Sequence, residues 1–426
     1  MSSSHPIVEV TDIIAYRLSD PAIAGWCAAG RTWWGHHLAH GALGIALLHA
    51  ERAAAGLGPW QRVHDWLAPA ARTPLTCGPD SHLNYGAPAL AFVLAVIAER
   101  LPGAYRQTLD TLDATIAADI VRRADHARTR LEAGQSPVLA DFDVVRGLTG
   151  IGPYMLRRMP DGQALAAVLS YLVQLSEPAS RDGVLVPGWW TPTGPNGELD
   201  NRYPTGHANA GVAHGIGGPL ALLALAARAG ITVPGQLEAI ATICAWLDHW
   251  RVDTSTGPVW PYWITRDEHR TGTPVPPQQP RRPSWCYGTA GLARAQQLAA
   301  LALRDPDRQR LAEDALLRAL TDPAQRATVT DPSLCHGTAG LAHIAVRVAA
   351  DAAPHTARHL NAAAADLLDA VHRSGADPRH TATALLGPAG AGPGLLEGAA
   401  GVALAAQTGA TETLPYTSWD ACLLIS

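Results

Sequence analysis

Ser284-Trp285-Cys286-Tyr287-Gly288-Thr289-Ala290-Gly291 and Leu334-Cys335-His336-Gly337-Thr338-Ala339-Gly340 are the stretches on which the reading of this chain turns. Aligned on their glycines, both spell Cys-(Tyr/His)-Gly-Thr-Ala-Gly, so they are two copies of one unit. Further copies of Gly-x-x-Gly ahead of an apolar run lie on either side. They are His40-Gly41-Ala42-Leu43-Gly44, Tyr85-Gly86-Ala87-Pro88-Ala89, Arg146-Gly147-Leu148-Thr149-Gly150, His214-Gly215-Ile216-Gly217-Gly218 and Glu397-Gly398-Ala399-Ala400-Gly401. That makes seven, the second with Ala89 where a glycine is expected. Each leads into an Ala/Leu/Val stretch such as Leu220-Ala221-Leu222-Leu223-Ala224-Leu225. A helix apolar on all sides is a buried helix.

A second, amphipathic helix per repeat is legible in stretches such as 236–250 and 308–320, which brings the expectation to about fourteen helices. The economical arrangement is all-α: an α/α toroid of about seven inner and seven outer helices. Its glycines let the backbone crowd where each loop enters its inner helix. Length alone suggests two or three domains. Ring closure allows one toroid domain over 1–426 instead. Small peptide-binding insertions are expected within 178–207 or 251–285, where Trp189, Trp190, Trp260 and Trp263 sit among prolines.

The chain has 426 residues, a formal net charge of -5 and no lysine, so every basic side chain is arginine. With no basic face, nucleic acid is excluded as a partner. The N-terminus lacks the charged and apolar regions of a signal peptide. The longest apolar run, 87–98, is too short to span a bilayer. A cytoplasmic protein is expected. The six cysteines lack the density and spacing of a disulfide scaffold. Cys27, Cys77, Cys244 and Cys422 read as buried small hydrophobes.

Cys286, Cys335 and His336 read differently. Two thiolates and one imidazole are zinc chemistry, and three protein ligands leave a fourth position open for substrate. One zinc per chain is expected, there to lower the pKa of an incoming thiol below its free value of about 8.5. The residue before the first glycine is polar in every copy: His40, Tyr85, Arg146, His214, Tyr287, His336 and Glu397. If the copies are equivalent, these side chains converge at one end of the barrel axis. For His40, Tyr85, Arg146 and Glu397 a helix-capping role is the preferred reading. His214 occupies the slot of Tyr287 and His336. It reads as a proton-transfer group ahead of a fourth metal ligand. Asp143 is a candidate to orient His214 or another site residue, with Asp141 as the competing carboxylate. Arg282, on the loop that delivers Cys286, suits the stabilisation of negative charge on a carbonyl oxygen. Taken alone, Asp143 and Arg282 read as surface or structural residues.

Trp285-Cys286-Tyr287-Gly288, Cys335-His336-Gly337, Ala213-His214-Gly215 and Asp143-Val144-Val145-Arg146-Gly147-Leu148-Thr149-Gly150 together resemble the lanthipeptide (lantibiotic) cyclases, the lanthionine synthetase C proteins. The ending Ser418-Trp419-Asp420-Ala421-Cys422-Leu423-Leu424 is similar too, so the resemblance covers essentially the whole chain. It implies addition of a peptide cysteine to dehydroalanine or dehydrobutyrine, closing a thioether ring. It also implies zinc on Cys286, Cys335 and His336, acid–base roles for His214 and Asp143, and places in the site for Arg282 and Tyr287. The implied partners are a dehydrated precursor peptide with its leader, a separate dehydratase and a transporter complex. That complex is the route to any membrane association. The first repeat begins about forty residues in, so a stand-alone cyclase is expected. Two other readings compete. One is a zinc-containing peptide- or thiol-binding adaptor of the same fold without cyclase activity. The other is a prenyltransferase, disfavoured because such enzymes typically have an Asp ligand and no carboxylate sits beside these cysteines.

Overall fold

All seven apolar runs are helices in the computed structural model, which describes residues 6–22, 32–72, 74–373, 377–387, 392–411 and 413–426. They are Ala42–Ala54, Ala87–Ala98, Leu148–Arg158, Gly217–Arg228, Thr289–Leu303, Thr338–Asp351 and Ala399–Thr411. The run considered too short for a bilayer, 87–98, is the second of them. No helix among the described residues is long and apolar enough to cross a membrane. Cys27 lies outside the described residues.

The chain divides into two compact units. One comprises 1–112, 329–420 and 426. In it the helices Thr338–Asp351, Ala399–Thr411, Ala42–Ala54 and Ala87–Ala98 pack in succession. Pro6–Arg17, Gln61–Leu67 and Pro354–Arg373 cover them from outside the row. The covering helices are amphipathic: Pro6–Arg17 buries Ile7, Val10 and Ile14 and exposes Tyr16. The C-terminal segment is tied in by buried charge. Glu51 accepts from the backbone N–H groups of Tyr416 and Thr417 at 2.7 Å. The buried Asp420 accepts from His343 at 2.7 Å and from both forks of Arg347.

The other unit comprises 113–328 and 421–425. Leu148–Arg158, Gly217–Arg228 and Thr289–Leu303 lie side by side, each backed by an amphipathic partner: Gln163–Leu175, Gln236–Trp250 and Pro306–Thr321. The last two partners are the segments expected from the sequence. The strands of the described residues form three two-stranded antiparallel pairs. Ala179–Arg181 pairs with Val184–Val186, and Val252–Thr254 with Gly257–Val259. His207–Asn209 pairs with Trp263–Thr265, which joins the two Trp/Pro-rich stretches to each other. Their tryptophans divide: Trp189, Trp190 and Trp260 are fully buried, whereas Trp263 is half-buried.

The glycines do not all serve the same purpose. Gly288 has φ 134° and Gly86 φ 80°, conformations that L side chains rarely adopt. The second glycine of each loop is needed for space instead. A Cβ on Gly291 or Gly340 would fall closer than 3.0 Å to the carbonyl of Trp285 or Leu334, six residues back. Gly44, Gly150, Gly218 and Gly401 repeat that relation with Leu38, Val144, Val212 and Leu395. Their spacing is thus a record of the loop folding back over the start of its helix.

Candidate active site

Within each unit the loops are stitched together in one register. The carbonyl just before the pre-glycine residue accepts from the preceding loop. Ala213 accepts from Val144 at 3.0 Å and Cys286 from Val212 at 3.0 Å. In the other unit Leu396 accepts from Cys335 at 3.0 Å, Ala39 from Leu395 at 2.8 Å and Asn84 from Leu38 at 2.9 Å. The pre-glycine side chains therefore stand in rows. Arg146, His214 and Tyr287 form one row, and His336, Glu397, His40 and Tyr85 the other.

The expected capping role falls elsewhere. Arg146 reaches the Asn196 carbonyl at 2.7 Å, and His40 lies against the His37 ring. In four of the loops the side chain three before the pre-glycine position supplies the acceptor for that position's backbone N–H. It is His37 Nδ1 for His40 at 3.1 Å, Ser284 Oγ for Tyr287 at 3.3 Å and Ser333 Oγ for His336 at 3.3 Å. Asp143 fills this slot in its own loop, and its Oδ1 accepts from the N–H groups of Arg146 at 2.7 Å and Gly147 at 2.6 Å.

Asp143 has a second oxygen, which the serines lack. Its Oδ2 lies 2.6 Å from His214 Nδ1. The carboxylate is fully buried and the imidazole is 13% exposed. Main-chain donors fix the carboxylate and the carboxylate fixes the ring, so Nδ1 carries a proton and Nε2 is left for chemistry. Asp141 is excluded from this role by its own ties. It accepts from the Val138 N–H at 3.0 Å and pairs with Arg130 at 3.2 Å, while burial pushes its carboxyl above the ordinary value.

The Tyr287 ring lies 6.2 Å from that of His214. Its hydroxyl accepts from Asn209 Nδ2 at 3.2 Å, and Tyr262 and Trp263 pack on it at 5.8 and 5.7 Å. Arg282 is half-buried, and its carbonyl accepts from the Tyr262 hydroxyl at 3.0 Å. Cys286 is 7% exposed, its Sγ 3.6 Å from Ser284 Oγ. Neighbouring Trp285 donates its indole N–H to the Leu423 carbonyl at 2.9 Å. In the other unit Cys335 and His336 are half-buried, and His336 Nε2 lies 3.4 Å from Asp331 Oδ2.

Asn209, Ser284 and Asp331 were not singled out from the sequence. A signal for Ser284 and Asp331 existed in the loop alignment, where a polar residue stands three or five positions before the pre-glycine residue. Asn209 acts across loops, which a linear pattern does not express. Cys244 and Cys422 are buried as expected, but Cys77 is exposed, because it precedes Gly78 on a loop rather than sitting in a helix.

A profile of lanthionine synthetase C-like proteins matches residues 32–424. The chain belongs to the lanthionine synthetase C-like family. That span takes in all seven glycine loops and every site residue named above. Among individual relatives, it is 25% identical over 213 residues to the nisin biosynthesis protein NisC of Lactococcus lactis subsp. lactis. That match covers 48% of each protein, so the chain spans about half the length of this relative. A solved structure of nisin cyclase superposes with a TM-score of 0.75 over 97% of this chain and 98% of that one, at 22% identity. At that identity the likeness speaks for the fold. Nisin cyclase is an α/α toroid, the architecture expected here from the seven glycine loops.

Proposed function

We propose that this family member is a zinc-dependent peptide cyclase. It adds cysteine thiols to dehydroalanine or dehydrobutyrine of a ribosomal precursor peptide and forms (methyl)lanthionine rings. The observation that carries the reading is the Asp143–His214 pair, 2.6 Å apart, in a row with Tyr287. An adaptor that only binds thiols or peptides has no use for an imidazole whose tautomer is locked by a buried carboxylate.

Cys286, Cys335 and His336 are assigned to one zinc ion. Their chemistry fits: two thiolates and an imidazole are the donor set among the described residues suited to a metal, and three ligands leave a position open. Asp331 beside His336 Nε2 suits the carboxylate that commonly orients a ligating imidazole. When bound, the ion would lower the pKa of an incoming thiol and so supply a nucleophile at neutral pH.

The remaining chemistry falls to side chains of this chain. Addition of sulfur to the β-carbon places negative charge on the carbonyl oxygen of the dehydro residue, and Arg282 is assigned to that charge. The α-carbon must then take a proton. His214 in its charged form delivers it from Nε2, while Asp143 holds Nδ1 and stabilises the imidazolium. Tyr287, held by Asn209, Tyr262 and Trp263, is assigned to positioning the peptide at Nε2. A dehydratase must act on the peptide first, and a transporter after release completes the proposed set of partners.

The test is incubation of the zinc-loaded protein with a dehydrated, cysteine-containing precursor peptide, scored by loss of free thiol and by fragmentation. Thiols consumed into rings support the reading. A protein that binds zinc and peptide but leaves the thiols free is the adaptor.

A further inference from the structure

A cavity of about 920 Å³ opens in the unit that carries Cys335 and His336. It lies between the loop of residues 329–338, the helices Pro354–Arg373 and Pro378–Leu386, and the last glycine loop. Its volume is within the usual range of ligand pockets. His336 is part of its wall, and Val371 and Leu385 give it an apolar side. The acidic groups facing it are Asp331, already beside His336, and Glu397.

Among the described residues, the Glu397 carboxylate and the Thr381 hydroxyl of this wall are polar groups that the protein itself leaves unused. The Glu397 carboxylate, in the pre-glycine slot of the seventh loop, has no hydrogen bond or ion pair among the described residues. Thr381 is 4% exposed, yet its hydroxyl is buried with no partner. Buried polar groups are ordinarily satisfied, so a buried hydroxyl without a partner and an unpaired, half-buried carboxylate lining the same cavity suit a wall that takes a donor from outside. Among the described residues no arginine lines the cavity, and its basic side chains are His336 and His380.

We propose that this cavity is a side-chain specificity pocket for the precursor peptide. It takes a lysine or arginine close to the reacting cysteine, the apolar stem against Val371 and Leu385 and the charged head at Glu397. A long cationic side chain buries its methylenes while keeping its head on a polar partner, which matches the division of this wall. The proposal rests on the cyclase reading for its occupant. It adds that residues beside the cysteine are selected by charge.

The experiment uses the full-length, zinc-loaded protein and fluorescein-labelled peptides with a single cysteine. The peptides differ only in the neighbouring residue: lysine, norleucine or glutamate. Anisotropy titrations should give the lysine peptide about tenfold tighter binding than the norleucine peptide, the factor for one charge-assisted contact. Glutamate should bind weakest. Glu397→Gln should erase most of the lysine preference and leave the norleucine affinity and the zinc content unchanged. Ala384→Trp, at the cavity wall, should weaken lysine and norleucine peptides alike. Equal binding of lysine and norleucine peptides by the unmodified protein overturns the pocket, as does a lysine preference that survives both substitutions. Ring closure is scored separately on dehydrated peptides. Its absence with the lysine preference intact would overturn the cyclase reading and leave the pocket standing.

Discussion

Asp143→Asn separates the chemical from the architectural use of one side chain. Oδ1 of Asp143 accepts two main-chain N–H groups at 2.7 and 2.6 Å, and asparagine keeps an oxygen there. The loop should therefore stay folded. The other oxygen becomes an NH₂ group facing His214 Nδ1, where the carboxylate stood at 2.6 Å. Two donors now meet, so the ring must present Nδ1 as an acceptor and carry its proton on Nε2. The imidazolium also loses its counter-charge. A buried hydrogen bond to a charged group contributes about 1.5–3 kcal/mol, or roughly 10- to 150-fold in rate if it acts on the proton-transfer step. Loss of acid–base function altogether costs about 10²–10⁴-fold. Single-turnover ring closure, followed by mass shift after thiol alkylation, should slow within that combined span. Peptide affinity and zinc content should be unchanged. Asp143→Ala should in addition lower the thermal midpoint, since the two main-chain donors lose their acceptor. A rate for Asp143→Asn within about threefold of the unmodified protein, well below the acid–base range, would refute the assignment of proton transfer to this pair.

Three further outcomes are expected. Cys335→Ala or Cys286→Ala should lose zinc by elemental analysis while keeping helical circular dichroism, because two remaining donors hold the ion poorly and a chain this large does not depend on it to fold. Gly340→Ala should destabilise the protein by about 1–3 kcal/mol in urea titration, since its methyl meets the Leu334 carbonyl and main chain gives way less readily than a side chain. Burial holds His37 down to about 3, with His40 and His82 adding to the effect, and holds His49 and His207 down to about 4. These folded-state values lie below the unfolded one, so the stability they contribute is present above about pH 6.5 and is lost as pH falls. The loss should be about 1.4 kcal/mol per pH unit for each group until its folded value is reached, measured as urea midpoints between pH 7 and pH 4.

The helical architecture was legible because two independent signals coincide at each repeat. An all-apolar run alone is ambiguous, and a lone Gly-x-x-Gly is weak. Gly288-Thr289-Ala290-Gly291 ahead of Leu292, Ala293, Ala295 and Leu298 is neither, and the same pairing recurs behind Gly337 and Gly398. The degenerate second loop illustrates the limit: Ala89 replaces the glycine, yet Ala87–Ala98 forms its helix all the same. What escaped the reading depends on through-space pairing. His207–Asn209 with Trp263–Thr265 joins segments more than fifty residues apart, and no local pattern in either predicts its partner. Trp189 and Trp190 are likewise buried by tertiary packing, which no local pattern in their proline-rich surroundings expresses.

The candidate site divides along the same line. Residue types pointed to His214, Tyr287 and His336 because the pre-glycine slot is polar in every copy whatever the apolar context, and to Cys286 and Cys335 because a thiol stands just before it in two copies only. The slot three positions earlier was not recognised as a family of its own, although it decides which carboxylate matters. His37, Ser284 and Ser333 each spend one acceptor there on the loop's own main chain. Asp143 spends one oxygen in the same way and has another to give. A repeat frame held by glycine contacts and main-chain hydrogen bonds tolerates any acceptor in that slot, so a serine-to-aspartate difference costs the fold little. It adds one buried negative charge beside the next loop's histidine. Asymmetry of function can thus arise from a symmetric scaffold at single positions. The positions to examine first are those where a side chain has more hydrogen-bonding capacity than its loop consumes: Asp143 beside His214, and Glu397 at the other unit's cavity.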